Sequence, residues 1–216
     1  MLEHIAAITD TITTSRYTVP FIGRVFVPDK DLPYSFQDTE LCLDADFIPR
    51  NEAEGSAGCL QLVSYTILIS PLQKKIFVAK RRGGDDRLSG SYCIGFGGHV
   101  EVGDYRIEEG ETPNPFVKCA KRELEEELRL RNKEFELHHL GFARDLSSST
   151  KEHLGSIYYM MANSASIKEK ESFSFGKWID YEDFKDKYYF KLESWSKAVF
   201  DYIYEDEYYS KLFGFA

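Results

Sequence analysis

The amino-acid sequence predicts a mixed α/β (α+β) protein, and three observations carry that expectation. Runs rich in β-branched and aromatic residues occupy 60–70 and 74–80, then recur at 135–143, 155–162 and 173–180. Between the two groups lies one clear amphipathic helix, PFVKCAKRELEEELRL at 115–130. Aromatic-rich helical segments follow near 181–188 and 191–205. Strands divided by a middle helix and followed by terminal helices fit neither an all-helical nor an all-β architecture.

The elements are justified in chain order. The first 55 residues read as irregular, because Pro20, Pro28 and Pro33 break any long element, and are expected to pack on the core as an N-terminal extension. NEAEGSAG (51–58) reads as a linker, so the main domain is placed at 56–216. LQLVSYTILIS (60–70) and KKIFVAK (74–80), separated by Pro71-Leu72-Gln73, read as a hairpin. RRGGDDRLSG (81–90) is a turn-rich loop, and SYCIGFGG (91–98) a short strand ending in paired glycines. In the helix, Val117, Ala120, Leu124 and Leu128 recur at spacings of 3, 4 and 4 and form one apolar face. Pro115 suits its first turn, and Asn114 or Thr112 can cap it.

Composition narrows the function classes. The chain has 216 residues, 43% of them hydrophobic, which is enough to bury a core unaided. Its 36 acidic against 27 basic side chains, a formal charge of −9, argue against a surface that tracks a nucleic-acid polymer. The cysteines at 42, 59, 93 and 119 form no CxxC pair and read as buried thiols. MLEHIAAITD has no basic stretch ahead of an apolar one, so it is not read as a signal peptide. The most apolar run falls well below the roughly 20 residues that span a bilayer. A cytoplasmic protein without a membrane partner is the expectation.

The chemistry is most visible in Arg122-Glu123-Leu124-Glu125-Glu126-Glu127. At about 100° per residue, Glu123 and Glu127 lie about 40° apart on the margin of the apolar face, with Glu126 further round the polar side. Like charges four residues apart destabilise an isolated helix by a few tenths of a kcal/mol. A solvated acidic face explains such a run, and so does a hard divalent cation gathered by carboxylates.

Context upstream separates the two. Gly97-Gly98-His99-Val100-Glu101 follows the short strand, and Gly110-Glu111-Thr112-Pro113 opens the helix region. Together with CAKRELEEEL these residues resemble the Nudix signature: a glycine, five residues, a glutamate, seven residues, then Arg-Glu-apolar-any-Glu-Glu-any-Gly-apolar. The resemblance covers about 97–130 and departs from the pattern twice. The loop before Arg122 is longer, with most of the excess in VGDYRIE (102–108), so either Glu101 or Glu111 can stand for the first glutamate. Arg129 replaces the glycine after the glutamates and can let the helix run on, favouring its negative end.

The resemblance implies a Nudix-type α/β/α sandwich with a mixed sheet, an N-terminal extension and a C-terminal helical segment. It implies a hydrolase (MutT-type pyrophosphatase) that cleaves a diphosphate linkage in a nucleoside diphosphate derivative by water attack at phosphorus, with Mg²⁺ or Mn²⁺ as cofactor. Carried over, Glu123, Glu126, Glu127 and the carbonyl of Gly97 would hold the metal, and Arg122 would orient the glutamates. Glu111, Glu101 or Glu152 would support Arg122 or serve as general base. Residues 74–87 hold six basic and two acidic side chains, so Arg81 and Arg87 are candidates for substrate phosphate, with ordinary solvated charges as the alternative. His99 and His153 are expected to be structural. The last 60 residues carry 18 aromatics, including Trp178 and Trp195, expected mainly in the core or at a homodimer interface. A Nudix-fold nucleotide-sensing module with weak or no turnover is the alternative function.

Overall fold

The computed structural model describes residues 3–33, 36–54, 56, 58–82, 90–106, 114–130, 135–147 and 151–215. In chain order its elements are β1 (His4–Ile8), α1 (Thr11–Arg16), β2 (Phe26–Pro28), α2 (Asp38–Leu43), β3 (Asp46–Pro49), α3 (Arg50–Ala53) and β4 (Leu60–Ser70). They continue as β5 (Lys75–Arg81), β6 (Tyr92–Cys93), β7 (Gly95–Phe96), α4 (Pro115–Glu127), β8 (Leu128–Leu130), β9 (His138–Ala143) and β10 (His153–Met161). The last are β11 (Ala165–Ile167), β12 (Phe173–Asp180), α5 (Tyr181–Lys187), α6 (Ser194–Glu205) and α7 (Glu207–Phe213). The class is α/β, as the sequence indicates. Among the described residues no helix is long and apolar enough to cross a membrane.

The chain divides into two compact units. The first comprises Met1–Tyr65, Gly97–Arg122 and His139–Tyr158; the second comprises Thr66–Phe96, Glu123–His138 and Tyr159–Ala216.

In the first unit the N-terminal residues overturn the expectation of irregular structure. β1 runs antiparallel to β3 (Ile5↔Ile48, Ala6↔Phe47) and to the start of β4 (Ala7↔Gln61, Ile8↔Leu60). HIAAI shows no period-two alternation because Ile5, Ala6, Ala7 and Ile8 are all buried. Ile5 and Ala7 pack with Ala53 and Cys59, and Ile48 closes over them. β2 pairs with β9 (Phe26↔Ala143, Val27↔Phe142). Phe36 sits 5.0 Å from Tyr17 and 5.7 Å from Phe142 by ring centroids. Asn114 caps α4 as expected, accepting from the Val117 amide at 3.2 Å, while its own amide donates to Asp38 at 3.0 Å. Thr112 lies outside the described residues.

In the second unit the expected hairpin is present, closing at Ile69↔Ile76 and Ser70↔Lys75. β5 also pairs with β6 (Ala79↔Cys93) and, over most of its length, with β12 (Phe77↔Trp178). Leu124 and Leu128 enter a core with Leu68, Phe77, Phe96, Met160 and Phe173. Each such fully buried side chain contributes about 1.5–3 kcal/mol. Trp178 packs edge-on to Phe77 at 5.3 Å, and Phe184 on Phe200 at 4.6 Å, so these C-terminal aromatics serve packing. α7 extends the terminal helices past residue 205; Asp206 caps it by accepting from Tyr208 and Tyr209, and Gly214 ends it at φ 76°.

Candidate active site

The glycine turn is built by close backbone approach. A Cβ at Gly97 would fall 1.9 Å from the Ser64 carbonyl oxygen, so only glycine fits beside β4. The Gly98 carbonyl accepts from the Ser64 amide at 3.0 Å, and Val100 donates to Leu62 at 2.9 Å. From the other side Ala6 of β1 donates to the Val100 carbonyl at 2.7 Å. Ser64 Oγ donates to the Phe116 carbonyl at 2.6 Å, which ties the first turn of α4 to the same strand. His99 is a packing residue, as expected. Its Nε2 is 2.8 Å from Gln61 Oε1, its ring is 5.3 Å from that of His153, and burial pulls its pKa down to about 3, helped by the positive surroundings of His153, Arg50 and Arg122.

Arg122 is the organiser of this loop. Its Nε donates to Asp104 Oδ1 at 3.2 Å and its Nη2 to Asp104 Oδ2 at 3.1 Å, a forked pairing, while Nη2 also donates to the His99 carbonyl at 2.9 Å. Glu101 Oε1 lies 3.4 Å from Nη1. Asp104 is 5% exposed, and its Oδ2 accepts from the Glu101 amide at 2.9 Å. The Cys119 thiol donates to the carbonyls of Gly98 and His99 at 3.4 and 3.3 Å. Asp104 is not among the residues expected from the sequence, although the sequence carries a signal for it. It stands six positions after Gly98, at the spacing the signature gives its first glutamate, with one methylene fewer. Glu111 lies outside the described residues.

The carboxylates of α4 fall in the second unit. Glu127 is 9% exposed, Glu123 is half-buried, and Glu126 and Glu125 are exposed. Burying a carboxylate costs several kcal/mol unless a cation or donors compensate it. Two hard oxygen donors one helical turn apart suit Mg²⁺ or Mn²⁺, which uses one or two carboxylates with waters and substrate phosphates rather than a full protein cage. Among the described residues no group of three or more His, Cys, Asp or Glu is arranged to hold a metal.

The end of α4 differs from expectation. The helix does not run on through Arg129; it stops at Glu127, and Leu128–Leu130 become β8, paired with β11 (Leu128↔Ile167, Arg129↔Ser166). The terminal carbonyls find other donors. Lys168 N and Glu169 N reach the Glu127 carbonyl at 2.8 and 3.2 Å, and Lys168 Nζ reaches that of Glu125 at 2.7 Å.

The remaining candidates lie on other elements. Arg81 Nε donates to Glu193 at 2.9 Å, so part of its fork is committed within the protein. Arg87 lies outside the described residues. Glu152, half-buried just before β10, accepts from the Gln61 amide through its carbonyl at 2.7 Å, and its charge acts on Cys59 and Arg144.

No family model matches the chain. It is 30% identical to protein YmaB of Bacillus subtilis (strain 168) over 163 residues, covering 71% of this chain and 76% of that protein. The solved structure of Tm1382, assigned as a Nudix hydrolase, superposes with a TM-score of 0.68 at 26% identity, covering 93% of this chain and 98% of that one.

Proposed function

This chain belongs to the Nudix hydrolase family, and from that premise we propose that it hydrolyses a diphosphate linkage in a nucleoside diphosphate derivative with Mg²⁺ or Mn²⁺. The observation that carries the proposal is the Glu123–Glu127 pair, one turn apart on α4 with Glu127 buried at its end. Glu123 and Glu127 would hold the ion, with Glu126 as a further oxygen donor. When bound, the ion would neutralise diphosphate charge and acidify the attacking water.

The chain's own residues do the rest. Asp104 and Glu101 neutralise Arg122, which keeps its guanidinium on the glycine loop rather than on solvent. The Arg122 bond to the His99 carbonyl fixes the loop's backbone, and with it the direction of the Gly97 carbonyl. Glu101 and Glu152 are the described candidates for general base, and Arg81 for substrate phosphate.

The test is incubation with Mg²⁺ or Mn²⁺ and a panel of nucleotide sugars, dinucleotides and nucleoside triphosphates, alongside Glu127→Gln. Product release by wild type and its loss in Glu127→Gln are expected. Binding of these compounds without hydrolysis would favour a nucleotide sensor instead.

A further inference from the structure

We infer that Lys168 is a positioning residue for Glu127, an inference that rests on the metal-site reading above. Glu127 is the last residue of α4, where a helix ordinarily frays because its final carbonyls have no intrahelical partner. The signature ends such a helix with a glycine, and this chain has Arg129 there. Its substitute is a segment forty residues later in sequence. β11 pairs along β8 from Leu128 to Leu130, and the chain then turns so that the Lys168 and Glu169 amides both donate to the Glu127 carbonyl. Lys168 Nζ adds a third bond two residues back, to the Glu125 carbonyl at 2.7 Å.

The turn that delivers these donors is itself held. The Glu169 carboxylate accepts from the amides of Glu171 at 2.6 Å and Ser172 at 3.3 Å, which keeps it below the usual carboxylate pKa. Arg82 grips the same turn, its Nη1 on the Lys170 carbonyl at 3.0 Å and its amide on Ser172 at 2.8 Å. With its carbonyl pinned by two amides, Glu127 has a fixed backbone and a fixed Cα–Cβ direction. The ammonium of Lys168 also complements the negative helix end, where Glu125, Glu126 and Glu127 concentrate like charge. Lys168 would act on the metal only through Glu127.

The test compares Lys168→Met, which keeps the stem and the backbone amide but removes the ammonium bonded to the Glu125 carbonyl, with Lys168→Arg, wild type and Glu127→Gln. Mn²⁺ binding to each protein is read by electron paramagnetic resonance, and the Mg²⁺ dependence of hydrolysis alongside it. Lys168→Met should weaken Mn²⁺ affinity about tenfold, the lower end of what groups that hold a metal ligand in place contribute. Lys168→Arg, which can still donate to the Glu125 carbonyl, should return to within about twofold of wild type. If Lys168→Met binds Mn²⁺ like wild type and loses only thermal stability, Lys168 is structural and the inference fails alone. If Glu127→Gln also binds like wild type, the metal-site reading itself falls.

Discussion

Arg122 grips Asp104 with two nitrogens, at 3.2 and 3.1 Å, across eighteen residues of sequence. The guanidinium is 25% exposed and the carboxylate 5%, so neither is fully solvated if the other is lost. Asp104→Asn should destabilise the protein by about 3 kcal/mol, the lower range for breaking a largely buried pair. Urea unfolding checks this. Asp104→Glu keeps the charge and should lose less; equal losses in both variants would mean that packing, not pairing, sets the effect.

Gly97→Ala places a methyl group against the Ser64 carbonyl, where β4 cannot yield without breaking its bond to Gly98. A loss of about 3 kcal/mol is expected, at the upper end for overpacking. Limited proteolysis should cut the variant near residues 97–106. An uncut, equally stable variant would show that the backbone moves apart freely.

Among the helix carboxylates, burial sorts the roles. Glu127→Gln should reduce kcat/KM by about 100-fold or more at fixed Mg²⁺, at least the effect of removing a group behind a ligand. Glu126→Gln, at an exposed position, should cost less than about tenfold. A reversed order in steady-state assays would exchange their assignments.

Two histidines give opposite pH responses. His99, held neutral with its pKa near 3, takes up its proton on unfolding below about pH 6.5, so stability falls as pH drops through that window. His139 behaves the other way. Its Nδ1 faces Asp29 Oδ2 at 2.8 Å and its Nε2 faces Ser156 Oγ at 2.9 Å, while Ser156 donates to Asp38 at 2.8 Å. That bonding uses a proton on both ring nitrogens. Burial opposes the charged form, but Asp29 and Asp38 outweigh it and raise the pKa. Its stabilisation is complete below about pH 6.5 and is lost as pH rises through the elevated folded value. Urea midpoints measured from pH 5 to 9 should show His139→Gln flattening the alkaline limb and leaving the acid limb. A loss confined to the acid limb would refute the assignment.

How far the sequence revealed this protein depends on where the signals are local. The Val117–Leu124 part of the helix stripe, the 60–80 hairpin and the Asn114 cap depend on neighbours in the chain, and each is found where its residues place it, whereas Leu128 falls in β8. β1 was not legible because a strand buried on both faces has no alternation. The end of α4 was not legible because its donors arrive from residues 168 and 169. Asp104 was within reach: its spacing from Gly98 fits, and only the substitution of aspartate for glutamate concealed it. The carboxylate helix was visible because Glu123, Glu126 and Glu127 fall on one local pattern.

The bond from Ala6 to the Val100 carbonyl joins the beginning of the chain to the glycine loop over more than ninety residues. Closing a loop of that length costs about 4 kcal/mol of chain entropy before any contact repays it. The first unit, assembled from three separated stretches, therefore has a high contact order and should fold slowly. β1 can pair with β3 and the start of β4 as soon as those residues exist, but its bond to the Val100 carbonyl waits for the turn at 97–101.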